Sequence, residues 1–290
     1  MRRFVGMMLL CSLGFTSVKA QELYVNSEPA SNMPAKSLGL RLTNKFMKMQ
    51  HDQRTAMRFD PEMMVGINKN WMMHGQTFFG NVMQDNIRFE GASVYAKYRF
   101  LSNDQPHAHF RMAAYARVSV IDNPYLPTGA DGKPVMHAKN EDLDLEGGAS
   151  GANVGIVATE LLHKLALSGT LGYNRYTNNV NHNILDDLSR NAVNYSISAG
   201  YLLFPKKYKS YEQTNMNLYV EFLGKSNMDA GKTGYYVDVA PAIQFIFNST
   251  TRLDFSYRTQ LAGDMQRQML YSQYLVRVEH NIFNAFKKRK

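Results

Sequence analysis

The chain has 290 residues, 33 Lys and Arg against 24 Asp and Glu for a net charge of +9, 17 Tyr, 16 Phe and a single Cys. One cysteine excludes a disulfide framework, and there is no nucleotide-binding glycine loop, zinc signature or recognition helix, so neither a cofactor nor a nucleic acid is expected as partner. No Pro/Gly/Ser linker or charge block divides the chain, which argues for one large domain rather than two.

The first element, Met1 to Ala20, reads as a secretory signal. Arg2 and Arg3 form its positive start, Phe4 to Phe15 its apolar centre, and Val18-Lys19-Ala20 a small-residue cleavage site before Gln21. The apolar run is shorter than the roughly 20 residues of a membrane helix. Cys11 lies inside it, so the exported chain of 270 residues carries no thiol, and its charge falls to +6 once Arg2, Arg3 and Lys19 leave. Residues 21–36 follow as an N-terminal segment that either lies in the periplasm or plugs what comes next.

Twelve strands are predicted from there on. They run Ser37 to Asn44, Thr55 to Asn68, Trp71 to Val82, Ile87 to Phe100, His107 to Ile121, Ser150 to Leu161, Leu165 to Tyr176, Asn191 to Phe204, Thr214 to Leu223, Gly234 to Phe247, Thr251 to Leu261 and Met269 to Phe283. The pattern is clearest in the fourth and fifth. Ala92, Val94, Ala96, Tyr98 and Phe100 alternate with Ser93, Tyr95, Lys97 and Arg99; Phe110, Met112, Ala114, Ala116, Val118 and Val120 alternate with His109, Arg111, Tyr115, Arg117 and Ser119. A period of two puts one apolar and one polar face on each strand. The connections sort by parity, with the break near Met83 to Asn86 as the exception. Asn68 to Asn70, Leu101 to Pro106, His163-Lys164, Pro205 to Gln213 and Asn248 to Thr250 are short or compact, whereas Lys45 to Arg54, Asp122 to Ala149, Thr177 to Arg190, Gly224 to Gly231 and Ala262 to Gln268 are mostly longer and more polar.

Short turns at one end and long loops at the other are the signature of bacterial outer-membrane barrels, and an even strand count brings both termini to the periplasmic side. The fold class expected is therefore all-β: a transmembrane antiparallel up-and-down β-barrel of about 12 strands over residues 37–283, located in the outer membrane and surrounded by its lipid. Leu165, Leu167, Leu171, Tyr173, Ile197, Tyr201, Val237, Val239, Ile243, Phe255 and Tyr257 are assigned to lipid. The sixth strand is partly apolar on both parities, so its facing stays open. Pro241 lacks a ladder donor, and a bulge is expected there. Residues 284–290 form a basic tail, and Phe283 and Phe286 are candidates for the terminal aromatic read by the barrel-insertion machinery.

Glu28-Pro-Ala-Ser-Asn-Met-Pro-Ala35, Glu90-Gly-Ala-Ser-Val-Tyr-Ala-Lys-Tyr-Arg-Phe100 and Leu161-Leu-His-Lys-Leu165 resemble segments of an uncharacterised group of outer-membrane β-barrel proteins. That group is loosely similar to outer-membrane proteins assigned to phenol-degradation pathways and often labelled transporters. The resemblance implies fold and location, suggests transport, and brings no functional residues with it.

Chemistry is then expected in the lumen. Arg41, Arg252, Arg258 and Arg277 are inward by parity, Lys97 and Arg99 should meet His109 and Arg111 near the periplasmic mouth, and Arg117 stands further up the same wall. Inward rings of cations bias a pore toward anions. The opposing expectation is that they pair with inward Asp60, Glu62, Glu221, Asp238, Asp254 and Glu279, as charges filling the interior of a small barrel do. Nine basic groups against six acids is too narrow a margin to fix a selectivity. Two other functions compete with a channel or transporter for small solutes. Met47-x-Met49-x-His51, with Met83, Met136 and His137 on the same outer side, offers soft donors suited to copper capture, although methionine is also a flexible apolar filler. A lipid or ester hydrolase would need a nucleophile. Gly148-Ala-Ser-Gly151 does not fit a nucleophile elbow, and His280, outward by parity, has no serine and orienting amide assigned beside it, so no enzyme is expected.

Overall fold

The computed structural model describes residues 24–49, 54–84, 86–105, 108–126, 141–207, 210, 212–267 and 269–286. The signal, the last four basic residues, His51, Met136 and His137 lie outside the described residues. Twelve strands are present: β1 (Ser37–Met49), β2 (Thr55–Gly66), β3 (Trp71–Gly80), β4 (Arg88–Asp104), β5 (Ala108–Ile121), β6 (Ser150–Leu162), β7 (Leu165–Thr177), β8 (Asn191–Phe204), β9 (Asn215–Asn227), β10 (Gly234–Phe247), β11 (Thr251–Gly263) and β12 (Met269–Ile282). Each pairs antiparallel with its sequence neighbours, and β1 closes on β12, for example Arg41 opposite Glu279, so the sheet has no edge. Closure removes the unpaired backbone groups that lipid cannot satisfy. The strands are 10 to 17 residues long, long enough for a tilted crossing that needs roughly 9 to 11. Among the described residues no helix is long and apolar enough to cross a membrane.

The faces follow the alternation. Leu165, Leu167, Leu171, Ile197, Tyr201, Phe255 and Tyr257 are exposed on the outside, whereas Ser168, Asn174, Ser196, Ser198, Arg252 and Asp254 are buried inside. β6 now has a facing: Val154, Ile156 and Leu162 point out, Asn153, Val157, Thr159 and Leu161 point in. Its inner side is apolar because the N-terminal segment docks there, Ala30 on Ala113 and Val157, and Tyr24 and Val25 against Leu161.

Three expectations are corrected. β1 runs on to Met49 and β9 to Asn227, past the predicted ends at Asn44 and Leu223. At the loop end of β1 the inner face turns apolar, with Met47 and Met49 packed on Ala56, Val82 and Met83, so the polar-in code that located the other strands fails there. This extension makes Lys45 an inward wall residue. Pro241 carries no bulge: the β10–β11 pairing lapses between Val239↔Thr259 and Ala242↔Ser256 with its register unchanged, and the bulge lies at Val237/Asp238 instead. A lapse removes the need for the missing donor as a bulge would.

Two stretches of the described residues enter the barrel. Residues 24–36 occupy the half near the short turns, and residues 141–149 of the β5–β6 connection fold back into the half near the long loops. The first is tied to the wall at Gly66, whose carbonyl accepts from Lys36 N at 2.6 Å; a Cβ at Gly66 would lie 2.1 Å from the Pro34 carbonyl oxygen, so only glycine admits this approach.

The lumen as candidate functional site

Alternation aims one row of side chains per strand into the lumen, and most of the charged ones form pairs. Arg41 on β1 contacts Glu279 at 2.7 Å, Glu62 at 3.0 Å and Glu28 of the N-terminal segment at 3.1 Å. Arg252 meets Glu279 at 2.8 Å and Asp254 at 3.2 Å, and Arg258 meets Asp238 at 2.6 Å. Arg277 donates to Thr43 Oγ1 at 3.0 Å and lies 3.8 Å from Asp254. Taking charges out of water is costly unless a partner and further hydrogen bonds compensate, which is why a charged interior assembles as interlocked pairs.

The predicted group Lys97, Arg99, His109 and Arg111 is only partly brought together. Lys97, fully buried, donates to the carbonyls of Pro29 at 2.7 Å and Ser31 at 2.9 Å, and Arg111 reaches Ser31 Oγ at 2.7 Å. They converge through the N-terminal segment rather than on each other. His109 lies 3.1 Å from Asp104, which also accepts from Arg111 at 2.8 Å. Arg99 is half-buried at the turn end, where its backbone is clamped by Asn70.

Glu221 has a different role from the one its parity suggested. Its carboxylate accepts the backbone N–H groups of Val25 at 3.0 Å, Asn26 at 2.7 Å and Ser27 at 2.9 Å, together with Ser27 Oγ at 2.7 Å. One inward acid and one inward lysine thus hold the segment largely by its main chain, with the Asn26 and Ser27 side chains adding to the hold on Glu221. Glu28, between Arg41 and Lys97, is pushed up by burial but pulled down further by those two cations, to about 2. It stays ionised over the whole physiological range.

The opposite insert carries four acids in six residues, Glu141, Asp142, Asp144 and Glu146, and the last three meet cations of the wall and loops. Asp142 contacts Lys225 at 2.6 Å and Arg267 at 3.6 Å, Asp144 lies 3.6 Å from Arg58, and Glu146 bridges Lys45 at 2.5 Å and Arg117 at 2.9 Å. Lys45 holds Glu146 well below the ordinary carboxylate range against the opposing effect of burial, with Arg117 adding to the hold. Burial raises Asp144, but Arg58 and Lys225 leave it lowered. These acids, and Lys45, Arg58, Lys225 and Arg267, were not among the predicted site residues. Arg58 shares its parity with Asp60 and Glu62 and was readable; a loop folding inward has no periodic signal.

Between the two inserts the described residues enclose cavities of about 140 and 280 Å³. The smaller is bounded by the charged wall of β1, β2 and β12. The larger lies against a neutral wall of Tyr95, Tyr115, Thr170, Asn174 and Asn194. Glu28, Arg117, Glu146, Tyr236 and Arg258 line both. Met47, Met49 and Met83 lie in one apolar cluster. Ser150 Oγ is engaged with the backbone of Ile121, at 2.8 Å from its N–H and 3.3 Å from its carbonyl. His280 Nδ1 lies 2.9 Å from Thr251 Oγ1 on the exposed face. No metal-binding group of three or more His, Cys, Asp or Glu is found among the described residues.

A closed twelve-strand barrel with a wet, charged bore and an apolar belt is the architecture of outer-membrane channel proteins. The chain is similar in fold to an outer-membrane channel of Pseudomonas putida F1, with a TM-score of 0.56 and 10% identity over 89% of this chain and 100% of that one. The KdgM porin and the NanC porin align at a TM-score of 0.47 each, with 7% and 10% identity over 83% of this chain. No family model and no curated protein matches the sequence.

Proposed function

We propose that this protein is an outer-membrane channel for small polar solutes, with a bore narrowed from the periplasmic side by residues 24–36 and from the outside by residues 141–149. The observation that carries the reading is the pair of cavities between the two inserts, lined by charged and amide side chains and enclosed by a sheet whose outer face is apolar. An interior serving only to fill space would pack without them. On this reading the short turns, with the start of β1 and the close of β12 beside them, lie at the periplasmic end, as in other barrels of this kind. Membrane lipid is the partner of the outer face, and Phe283 and Phe286, both exposed past β12, supply the aromatic end for the insertion machinery.

Ion selectivity of the complete chain is weak on this reading. The wall cations Arg41, Lys97, Arg111, Arg117, Arg252 and Arg258 each touch an acid or a carbonyl, and the acids that the inserts bring, Glu146, Asp144 and Glu28, stay partly exposed in the bore. In planar bilayers the full chain should give small, weakly selective single-channel steps, and a variant lacking residues 24–36 larger ones. Absence of conductance from both folded, inserted proteins would overturn the proposal.

A further inference from the structure

Glu146 occupies a site that the wall builds for a carboxylate. Its two oxygens are taken by cations from different strands, Oε2 by Lys45 of β1 at 2.5 Å and Oε1 by Arg117 of β5 at 2.9 Å. A carboxylate that bridges two cations in this way is well bound. Yet Glu146 belongs to a connecting loop rather than a strand, and its side chain is 41% exposed, while Asp60 beside it is fully buried. It is the accessible member of the cluster. It also stands where the two cavities meet, lining both together with Arg117.

We infer that the Lys45–Arg117 pair is a binding site for the carboxylate of a small hydroxylated monocarboxylate solute, and that Glu146 fills this site until the solute displaces it. The inference rests on the channel reading and names its solute class. The body of the solute would lie in the larger cavity, of about 280 Å³. One side of it is uncharged and able both to donate and to accept, through the amides of Asn174 and Asn194 and the hydroxyls of Tyr95 and Thr170, whose buried oxygens have no hydrogen-bond partner, while Lys225, Arg258 and Asp144 border it elsewhere. Hydroxyls and amides beside an aromatic ring match a polyhydroxylated chain better than an apolar ring, because unpaired buried polar groups penalise an apolar guest. Arg117 sits 5.7 Å over the Tyr95 ring, at the junction of the ionic and neutral halves. Displacing Glu146 would open the boundary between the cavities, so that occupancy of the site and widening of the bore are the same event.

The test uses D-gluconate as carboxylate probe and D-glucose as its uncharged counterpart, titrated calorimetrically into the full mature chain in detergent micelles, a readout that needs no conduction. Glu146→Gln should bind gluconate at least tenfold more tightly than the native protein, Glu146→Ala likewise, and Arg117→Gln added to Glu146→Gln should abolish the gain. Glucose should bind none of them measurably. Equal gluconate affinity in native protein and both Glu146 variants, or a gain that survives loss of Arg117, would overturn the inference. Conductance of the same preparations in planar bilayers separates the two proposals: binding without conduction would leave the site and sink the channel, and conduction without binding the reverse.

Discussion

Glu90 shows what a single residue can hide from the periodic code. Strict alternation with Ala92, Val94 and Ala96 would send it to lipid, yet it is buried in the bore and binds Arg58 at 2.8 Å. The cause is a bulge. Phe78 pairs with Gly91 and Phe79 with Phe89, leaving Glu90 as the extra residue, and Gly91 adopts φ +147° to turn it inward. A side chain at Gly91 would place its Cβ 2.3 Å from the Val120 carbonyl oxygen, against backbone that cannot yield. Gly91→Ala should therefore destabilise the barrel by about 1–3 kcal/mol, read as a lower urea midpoint for unfolding from lipid vesicles. An unchanged midpoint would remove the bulge from this account. Glu221 makes the complementary case: its parity is legible and its task is not, because the partners are main-chain N–H groups of a segment almost 200 positions away. Charge-assisted bonds are worth roughly 1.5–3 kcal/mol each, and Glu221→Gln replaces an acceptor oxygen by an amino group facing those donors. We expect added protease to cleave within residues 24–36 about a hundredfold faster in Glu221→Gln, with the barrel intact; the same rate as in the native protein would show that the segment is held by something else.

At the level of elements, the strands were readable because lipid on one side and water on the other impose a two-residue period; the inserts were not, because nothing periodic distinguishes a loop that folds inward from one that does not. Glu141, Asp142, Asp144 and Glu146 are the hint, a cluster of acids at the end of a connection otherwise without pattern. β1 and β9 were read too short for a related reason. Their loop-end residues serve the inserts and the apolar patch around Met49, not the bore alone. The docking of residues 141–149 has a predictable pH dependence. Glu146, under Lys45 and Arg117, and Asp144, under Arg58 and Lys225, are both held below their ordinary values of 4.5 and 3.8. A depressed carboxylate stabilises the docked form fully above its ordinary value and loses that contribution as the pH falls through the depressed one. The exposure of Glu146 means that salt screens part of the hold. Single-channel conductance should thus be flat from neutrality to about pH 4.5 and rise only in stronger acid, at a less acid pH in high salt. A step near pH 6 to 7 would show that a group other than Glu146 and Asp144 controls the opening.

For the whole molecule, the decisive relation is between the two surfaces of one sheet. The inner surface carries an excess of cations that two inserted segments neutralise, Glu28 from one side and Asp142, Asp144 and Glu146 from the other. A barrel without its inserts would be a positive tube, and the complete chain is not. The outer surface owes its composition to hydrocarbon, and this can be tested independently of any solute. Ile197, near the middle of β8, is 69% exposed in the protein alone, and in a soluble β-sandwich such a position would accept a charge at little cost. In a membrane, Arg at the mid-depth of the lipid face costs roughly 2–4 kcal/mol. Its neighbour Ser196 faces the larger cavity, where an added guanidinium stays hydrated. Ile197→Arg should therefore lower the stability of the vesicle-inserted barrel by about 2–4 kcal/mol, whereas Ser196→Arg, one residue away, should change it far less and shift ion preference toward anions. Equal effects of the two substitutions would mean that the faces are not lipid and water, and every inference about the bore would lose its basis.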